Sequence, residues 1–321
     1  MKVQDLKRPY MAAMMKKLAR TPMEANHTLA VLRKMFNMAE IWGLRPDSTT
    51  PREHIPRAIF NICKIRIEEP MTIERYRQYK RTLKTIPFKG NFVKYGWGEL
   101  PNSLYISWMP YSQMFDEFSR ELANAVNALT RHAHELAAWR DVLAPMNQQQ
   151  QLDAAVEFID PLATVAINLP YVIRSRFIFA TAHLCHQANQ ARQGSSWKDE
   201  FPLDGEVWFN AADKYGKGWR RYSALKTRME KIGAKDYHQG TRDFRNTYNH
   251  RFSPRIVLGM SQVVTRSVDK STGAVSYGFG GTPALTLPLV VDLLEAQCQH
   301  CYRAFDAFQQ LVREHEVVDS P

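Results

Sequence analysis

The sequence predicts a mainly α-helical protein, most of which forms an antiparallel bundle of four helices. Apolar residues recur at three- and four-residue spacing in three long stretches, 112–143, 148–192 and 288–316, and in a shorter one, 238–252. This spacing is typical of helices that bury one face, and four such helices pack as a bundle. The chain has 321 residues, of which 45% are apolar and 23% charged, a composition that excludes an intrinsically disordered protein.

Two short helices, residues 5–19 and 25–42, are the first predicted elements. Pro22 favours a helix start because its fixed φ suits the first turn, and Gly43 and Pro46 end the second helix. The stretch TPMEANHTLAVLRKMFNMAEIWGLRPDSTTP resembles the small, SAM-like helical core-binding domain of phage-type tyrosine recombinases.

This resemblance covers residues 1–55 and implies that basic helix faces bind DNA. A working recombinase is not expected, because such an enzyme needs two arginines, a His-x-x-Arg box and a downstream nucleophilic tyrosine. His54 to Arg57 matches the box by letter, but it precedes the catalytic domain and contains Pro56. The first 55 residues are therefore interpreted as an integrase-like remnant joined to another protein. The cations that the resemblance assigns to DNA are Lys16, Lys17, Arg20, Arg33 and Lys34.

Residues 56–111 are predicted to be a basic and aromatic connector. Tyr76 and Tyr79 alternate there with cations, a pattern that can hold single-stranded nucleic acid by base stacking and phosphate contacts. The alternative is a solvated helix face followed by a segment packed against the bundle. The cations concerned are Arg77, Lys80, Arg81 and Lys84.

The remainder, residues 112–321, is predicted to be the bundle. Its second long helix, predicted over 148–192, contains Pro170, where a kink is expected. Shorter helices are expected near 206–214 and 219–232.

A small β-hairpin is predicted before the last helix. Two β-like runs, 255–267 and 274–279, flank the segment Asp269–Gly273, whose sequence DKSTG suits a hairpin loop.

Charge is distributed unevenly along the chain. Residues 1–95 hold 20 Lys and Arg against 8 Asp and Glu, whereas residues 96–321 hold 23 against 24. The first third is therefore expected to bind a polyanion, and the rest is expected to be electrostatically neutral.

A cytoplasmic location is expected. Four scattered cysteines do not form a disulfide scaffold, and the N-terminus lacks the apolar core of a secretory signal. The longest apolar stretch, 162–185, is interrupted by Pro170, Arg174 and Arg176, which argues against a membrane span.

The sharpest chemical signal is RDFRNTYNHR, residues 242–251. On a helix, Asn246 and His250 lie one turn apart, and the long side chain of Arg245 is expected to curl toward the same face. An imidazole can move protons at neutral pH, and a guanidinium can bind phosphate oxygens with two N–H groups. RNA has its own nucleophile, the 2′-hydroxyl, so these groups suffice for cleavage without a metal or other cofactor.

The R-N-x-x-x-H word at 245–250 resembles the signature of the HEPN superfamily, which lies on the third long helix of a four-helix bundle. The architectural resemblance covers about residues 100–316. It implies that Arg245, Asn246 and His250 are catalytic and that the site is completed across a homodimer. Many members are metal-independent endoribonucleases of toxin–antitoxin or phage-defence systems. Arg242 and Arg251 flank the motif and are assigned to nucleic-acid binding.

Structural explanations of these residues stay open. The same sequence word also occurs by chance in helical proteins, where the residues form a buried Arg–His pair or a solvated basic helix end. A zinc site made by His183, Cys185 and His186 with Cys298 and Cys301 is conceivable, but cysteines with apolar flanks on helices are more often buried thiols. No metal is therefore expected.

The favoured hypothesis is a cytoplasmic, metal-independent endoribonuclease or RNA-binding effector, carried by a mobile element, with an antitoxin protein as a candidate partner. The alternative is a non-catalytic DNA-binding or accessory protein of integrase ancestry, in which the bundle is a dimerisation module. Neither hypothesis places the protein in a membrane.

The first prediction concerns assembly. One motif supplies one imidazole, whereas acid and base catalysis on a phosphodiester is easier with two, so we expect a two-fold symmetric homodimer with residues 238–252 near the axis. Light scattering at micromolar concentration measures the mass. A monomer that still cleaves RNA would contradict the prediction.

Overall fold

The computed structural model describes residues 69–97 and 108–316, and this part of the chain is mainly helical. The predicted mainly α class is thus confirmed. The chain divides into two units, 1–73 and 74–321, and the helices predicted within residues 1–55 lie outside the described residues. The helices are α1 (Glu69–Thr85), α2 (Met109–Leu143), α3 (Gln148–Ala154), α4 (Asp160–Gln193), α5 (Phe209–Gly216), α6 (Tyr222–Lys231), α7 (Lys235–Gly240), α8 (Phe244–His250) and α9 (Leu287–Glu316).

Three long helices, α2, α4 and α9, form the core. Helix α2 is antiparallel to α9, because Tyr111 near the start of α2 contacts His315 near the end of α9. It is also antiparallel to α4, since Glu121 pairs with Arg176 at 3.2 Å while Phe118 packs on Phe179. Each helix buries one apolar stripe, as the sequence periodicity predicted.

The second long helix is interrupted earlier than predicted. A π-helical turn, Ala155–Ile159, separates α3 from α4, whereas Pro170 lies inside α4. A π turn holds an extra residue within the helix, and Phe158 of this turn stacks on Trp139 of α2 with ring centroids 5.0 Å apart.

The predicted fourth helix, 238–252, is wrong as a continuous element. Helices α7 and α8 occupy this region and are separated by Thr241–Asp243. Arg242 and Asp243 have φ values of 53° and 56°, and left-handed residues cannot continue a right-handed helix. Helix α5 packs on α4 and α6 packs on α9, in place of a fourth long helix.

Part of the predicted connector belongs with the bundle. Tyr79 of α1 is buried and stacks on Trp139 with centroids 4.5 Å apart. Farther along, the Asn127 side chain accepts a hydrogen bond from the Val93 N–H at 2.8 Å, and Trp97 packs edge-to-face on Phe115. Residues 74–97 therefore rest on the core, in the same unit as the long helices.

The predicted hairpin is confirmed. Strands β2 (Val264–Val268) and β3 (Val275–Phe279) pair antiparallel, with Gly273 at φ 69° in their loop. The Asp269 carboxylate accepts hydrogen bonds from the N–H groups of Ser271 and Thr272. Below them, β1 (Met260–Ser261) pairs with β4 (Thr282–Pro283) and joins the hairpin to the helices.

By length and composition, the stretch 148–196 is the one described segment that could cross a membrane. Helix α4, which forms most of this stretch, packs against α2, α5 and α9. Of the most apolar 18-residue window in this stretch, 33% is buried inside the protein.

The second prediction concerns His315, which is fully buried against Tyr111. Burial, with the nearby Arg192 charge, lowers its pKa from 6.5 to about 3. Between these values only the unfolded state binds the proton, so the free energy of unfolding should fall as pH drops from about 6.5 toward 3, by up to about 1.4 kcal/mol per pH unit. Chemical denaturation across this range measures the slope.

The matched control is His315→Gln, which does not titrate there and can still accept the Tyr111 hydrogen bond. Other buried histidines contribute equally in both proteins, so the difference in slope isolates His315. Equal slopes would contradict the prediction.

Candidate functional site

Helix α8 presents the three predicted catalytic side chains to solvent. Phe244 and Thr247 are buried and hold one face of the helix against the protein, where α8 packs on α4. Arg245, Asn246 and His250 lie on the remaining surface and are exposed. The explanation of a buried Arg–His pair is therefore excluded.

Asn246 is oriented by Asp243, the residue that directly precedes α8. Its Nδ2 donates to Asp243 Oδ2 at 2.9 Å, and His238 Nε2 of α7 lies 2.6 Å from Asp243 Oδ1. Hydrogen bonding by Asn246, reinforced by His238, lowers the pKa of the Asp243 carboxyl. A charged carboxylate is thereby held between an amide and an imidazole at the start of α8.

Arg245 does not curl toward His250 as the sequence predicted. Its guanidinium carbon lies 4.9 Å from the centre of the Tyr171 ring on α4. Five helical residues place the two side chains about 140° apart around the axis, so Arg245 points away from His250. Stacking on the ring leaves the guanidinium N–H groups able to bind phosphate oxygens.

The flanking arginines differ from each other. Arg242 donates a hydrogen bond to the Pro283 carbonyl, which connects the turn before α8 to the base of the hairpin. Arg251 directly follows α8 and is exposed. Arg242 therefore has a structural contact that its assignment to nucleic acid did not anticipate.

The predicted basic residues of α1 share one helix face. Arg77, Lys80, Arg81 and Lys84 follow the spacing i, i+3, i+4 and i+7, and all are exposed. Arg77 and Arg81 lie 3.6 and 3.5 Å from Glu74. The ring stacking predicted here is wrong for Tyr79, because its ring is buried against Trp139.

The five N-terminal cations assigned to DNA fall outside the described residues, so the structure places none of them.

The conceivable zinc cluster is not assembled. His183 and His186 face Asp204 and Asp199 at 3.3 and 3.1 Å, while Cys185 contacts His315. Within residues 69–97 and 108–316, no group of three or more His, Cys, Asp or Glu side chains could hold a metal ion.

Sequence reasoning missed two residues of the site, His238 and Asp243. Their contact spans the break between α7 and α8, which the prediction of a continuous helix concealed. The available signal was an Asp three residues before Asn246, a spacing typical of a helix cap.

A cavity beside the α2–α9 pair does not include any residue of the motif. It has a volume of about 490 Å³ and lies between residues 86–90, α2 and α9, with Lys89, Asp141 and Glu295 in its wall. The motif side chains lie on an open surface, which suits a long polymer better than a small enclosed ligand.

Comparisons with known proteins identify no relative: no family model, curated protein or solved structure matches the chain.

The third prediction concerns the hydrogen bond from Asn246 to Asp243 at the start of α8. Replacing Asn246 with alanine removes the hydrogen bond that most lowers the pKa of Asp243, so this pKa should rise toward its ordinary value of 3.8. NMR titration of the carboxyl carbon measures the change. Asn249→Ala, an exposed amide one turn away, is the matched control and should leave the Asp243 pKa unaltered.

Proposed function

We propose that the protein is a metal-independent endoribonuclease or RNA-binding effector whose site is formed by Arg245, Asn246 and His250. One observation carries the proposal: all three side chains of the motif are exposed on α8, with Asn246 fixed by Asp243. The resemblance of their sequence to the HEPN motif supports it. We also propose, from the sequence alone, a cytoplasmic location and a toxin or defence role opposed by an antitoxin protein.

The chemistry follows from the side chains. His250 accepts the proton of a ribose 2′-hydroxyl, and the 2′-oxygen forms a bond to the adjacent phosphorus while the bond from phosphorus to the 5′-oxygen breaks. The 5′-oxygen takes up a proton, so the products are a 2′,3′-cyclic phosphate and a 5′-hydroxyl. Arg245 stabilises the charge that develops on the phosphate oxygens.

The leaving 5′-oxygen needs a proton donor, in addition to the His250 base. In the proposed homodimer, His250 of the second copy donates this proton, since a positioned imidazolium acts as a general acid. His238 and Asp243 act as positioning residues, because they reach the substrate only through Asn246.

The exposed basic face of α1 favours a second candidate, a non-catalytic nucleic-acid-binding protein. Its four cations share one helix face and could neutralise phosphates without any chemistry. Incubating the full chain with total RNA and with DNA in EDTA distinguishes the two functions. Only the first one predicts RNA fragments that end in a cyclic phosphate.

The fourth prediction concerns catalysis by α8. His250→Ala should abolish RNA cleavage, while its melting temperature should change little, because an exposed side chain contributes less than about 1 kcal/mol to stability. Arg245→Lys should also lower the cleavage rate strongly, because an ammonium cannot bind two phosphate oxygens as a guanidinium does. Cleavage rate and melting temperature are measured on the same samples.

His132→Ala is the matched control, since this imidazole lies on α2 beside Glu135 and is remote in sequence from the motif. It should cleave RNA at the unaltered rate. Undiminished cleavage by His250→Ala would refute the proposed role of the imidazole.

A further inference from the structure

The β2–β3 hairpin exposes an apolar face that contributes nothing to the core. Strand register places Val264 opposite Phe279, Arg266 opposite Tyr277, and Val268 opposite Val275. Because side chains alternate across a strand, these six lie on one face. Phe279 is 88% exposed and Tyr277 65% exposed, so water covers two rings that a folded protein ordinarily buries or uses for binding.

The other face of the hairpin is polar. Thr265 lies opposite Gly278, and the hydroxyls of Ser267 and Ser276 are hydrogen-bonded 2.7 Å apart. The hairpin is therefore amphipathic, with its apolar side unpartnered in the described part of the chain. Two-stranded hairpins are marginally stable alone, and a ligand on the apolar face would stabilise this one.

Charge indicates what kind of ligand fits. Residues 241–286 hold six Arg and Lys against two Asp and Glu, so they are a basic stretch within a segment that is neutral as a whole. Arg266 is the charged member of the apolar face itself. A second copy of the chain would bring the same positive charge against this face, whereas a polyanion would neutralise it.

We propose that this face binds single-stranded RNA, with bases stacked on Tyr277 and Phe279 and a phosphate on Arg266. The two rings are separated by two strand residues, or about 7 Å. Exposed aromatic rings on a sheet face stack successive unpaired bases, and neighbouring cations bind the backbone. The proposal rests on the proposed function, for which the hairpin supplies the substrate-binding surface beside the motif.

The experiment measures binding separately from cleavage. Full-length protein carrying His250→Ala is titrated into a fluorescently labelled single-stranded RNA of about 12 nucleotides, within the range of known site sizes, and anisotropy gives the affinity. Adding Tyr277→Ala and Phe279→Ala should weaken binding about 30-fold, since two stacked bases are lost. Arg266→Ala should lower by about one the number of counterions released on RNA binding, which is read from the slope of log affinity against log salt concentration.

Two controls keep the result specific. Tyr277→Phe with Phe279→Tyr keeps both rings and should retain wild-type affinity. Tyr95→Ala removes an exposed ring that rests against Asn124 of α2, and it should bind RNA as before. Melting temperatures of the hairpin variants should agree, because every residue of the two strands is exposed.

Light scattering on the same proteins measures their mass and so tests whether a second copy of the chain covers the face instead of RNA. Weaker RNA binding with unaltered mass supports the proposal. Unaltered affinity in the double alanine variant overturns it. A lower mass in that variant also overturns it, because the face then belongs to a second copy of the chain.

Failure of this inference is distinguishable from failure of the proposed function. Hairpin-dependent RNA binding without cleavage by the unmodified chain would refute the enzyme and leave the RNA-binding face. RNA cleavage with binding that does not depend on the hairpin would refute the face and leave the enzyme.

Discussion

The packing of α4 and α9 antiparallel to α2 is the constraint on which the rest of the structure depends. Each of these helices spans thirty or more residues and buries one stripe. The removal of apolar surface from water stabilises this arrangement. The packed helices in turn fix where each connecting segment begins and ends. Helices α5 to α8 and the hairpin all lie within the single connection from α4 to α9, so they are free to carry polar and exposed residues.

Elements that this packing determines could be predicted from the sequence. The bounds of α2 and α9 are close to those predicted because their apolar spacing is regular over many turns, and DKSTG identified the hairpin loop. The break between α7 and α8 was missed, although Asp243 offered a signal of a helix start. The left-handed backbone at Arg242 and Asp243 that makes the break has no signature in residue spacing. Tyr79 resembled a base-stacking residue because sequence alone does not show that Trp139 covers its ring.

The site was predictable in composition and unpredictable in arrangement. Arg245, Asn246 and His250 are exposed on a helix as expected, yet Arg245 stacks on Tyr171 of another element. The partners of Asn246, Asp243 and His238, come from both sides of the helix break. Such contacts arise from tertiary placement, which a helical period cannot encode. Average charge over a long segment likewise concealed the basic stretch 241–286.

The turn Thr241–Asp243, which separates α7 from α8, also connects the two surfaces proposed to bind RNA. Left-handed backbone at a non-glycine residue costs roughly 1–3 kcal/mol and persists only where surrounding contacts hold it. Here the contacts are Arg242 with the Pro283 carbonyl and Asp243 with His238 and Asn246. The first connects the turn to the base of the hairpin, and the second connects it to α8. Under the proposal, an RNA strand stacked on the hairpin would be held relative to the α8 side chains by a turn whose geometry depends on both connections.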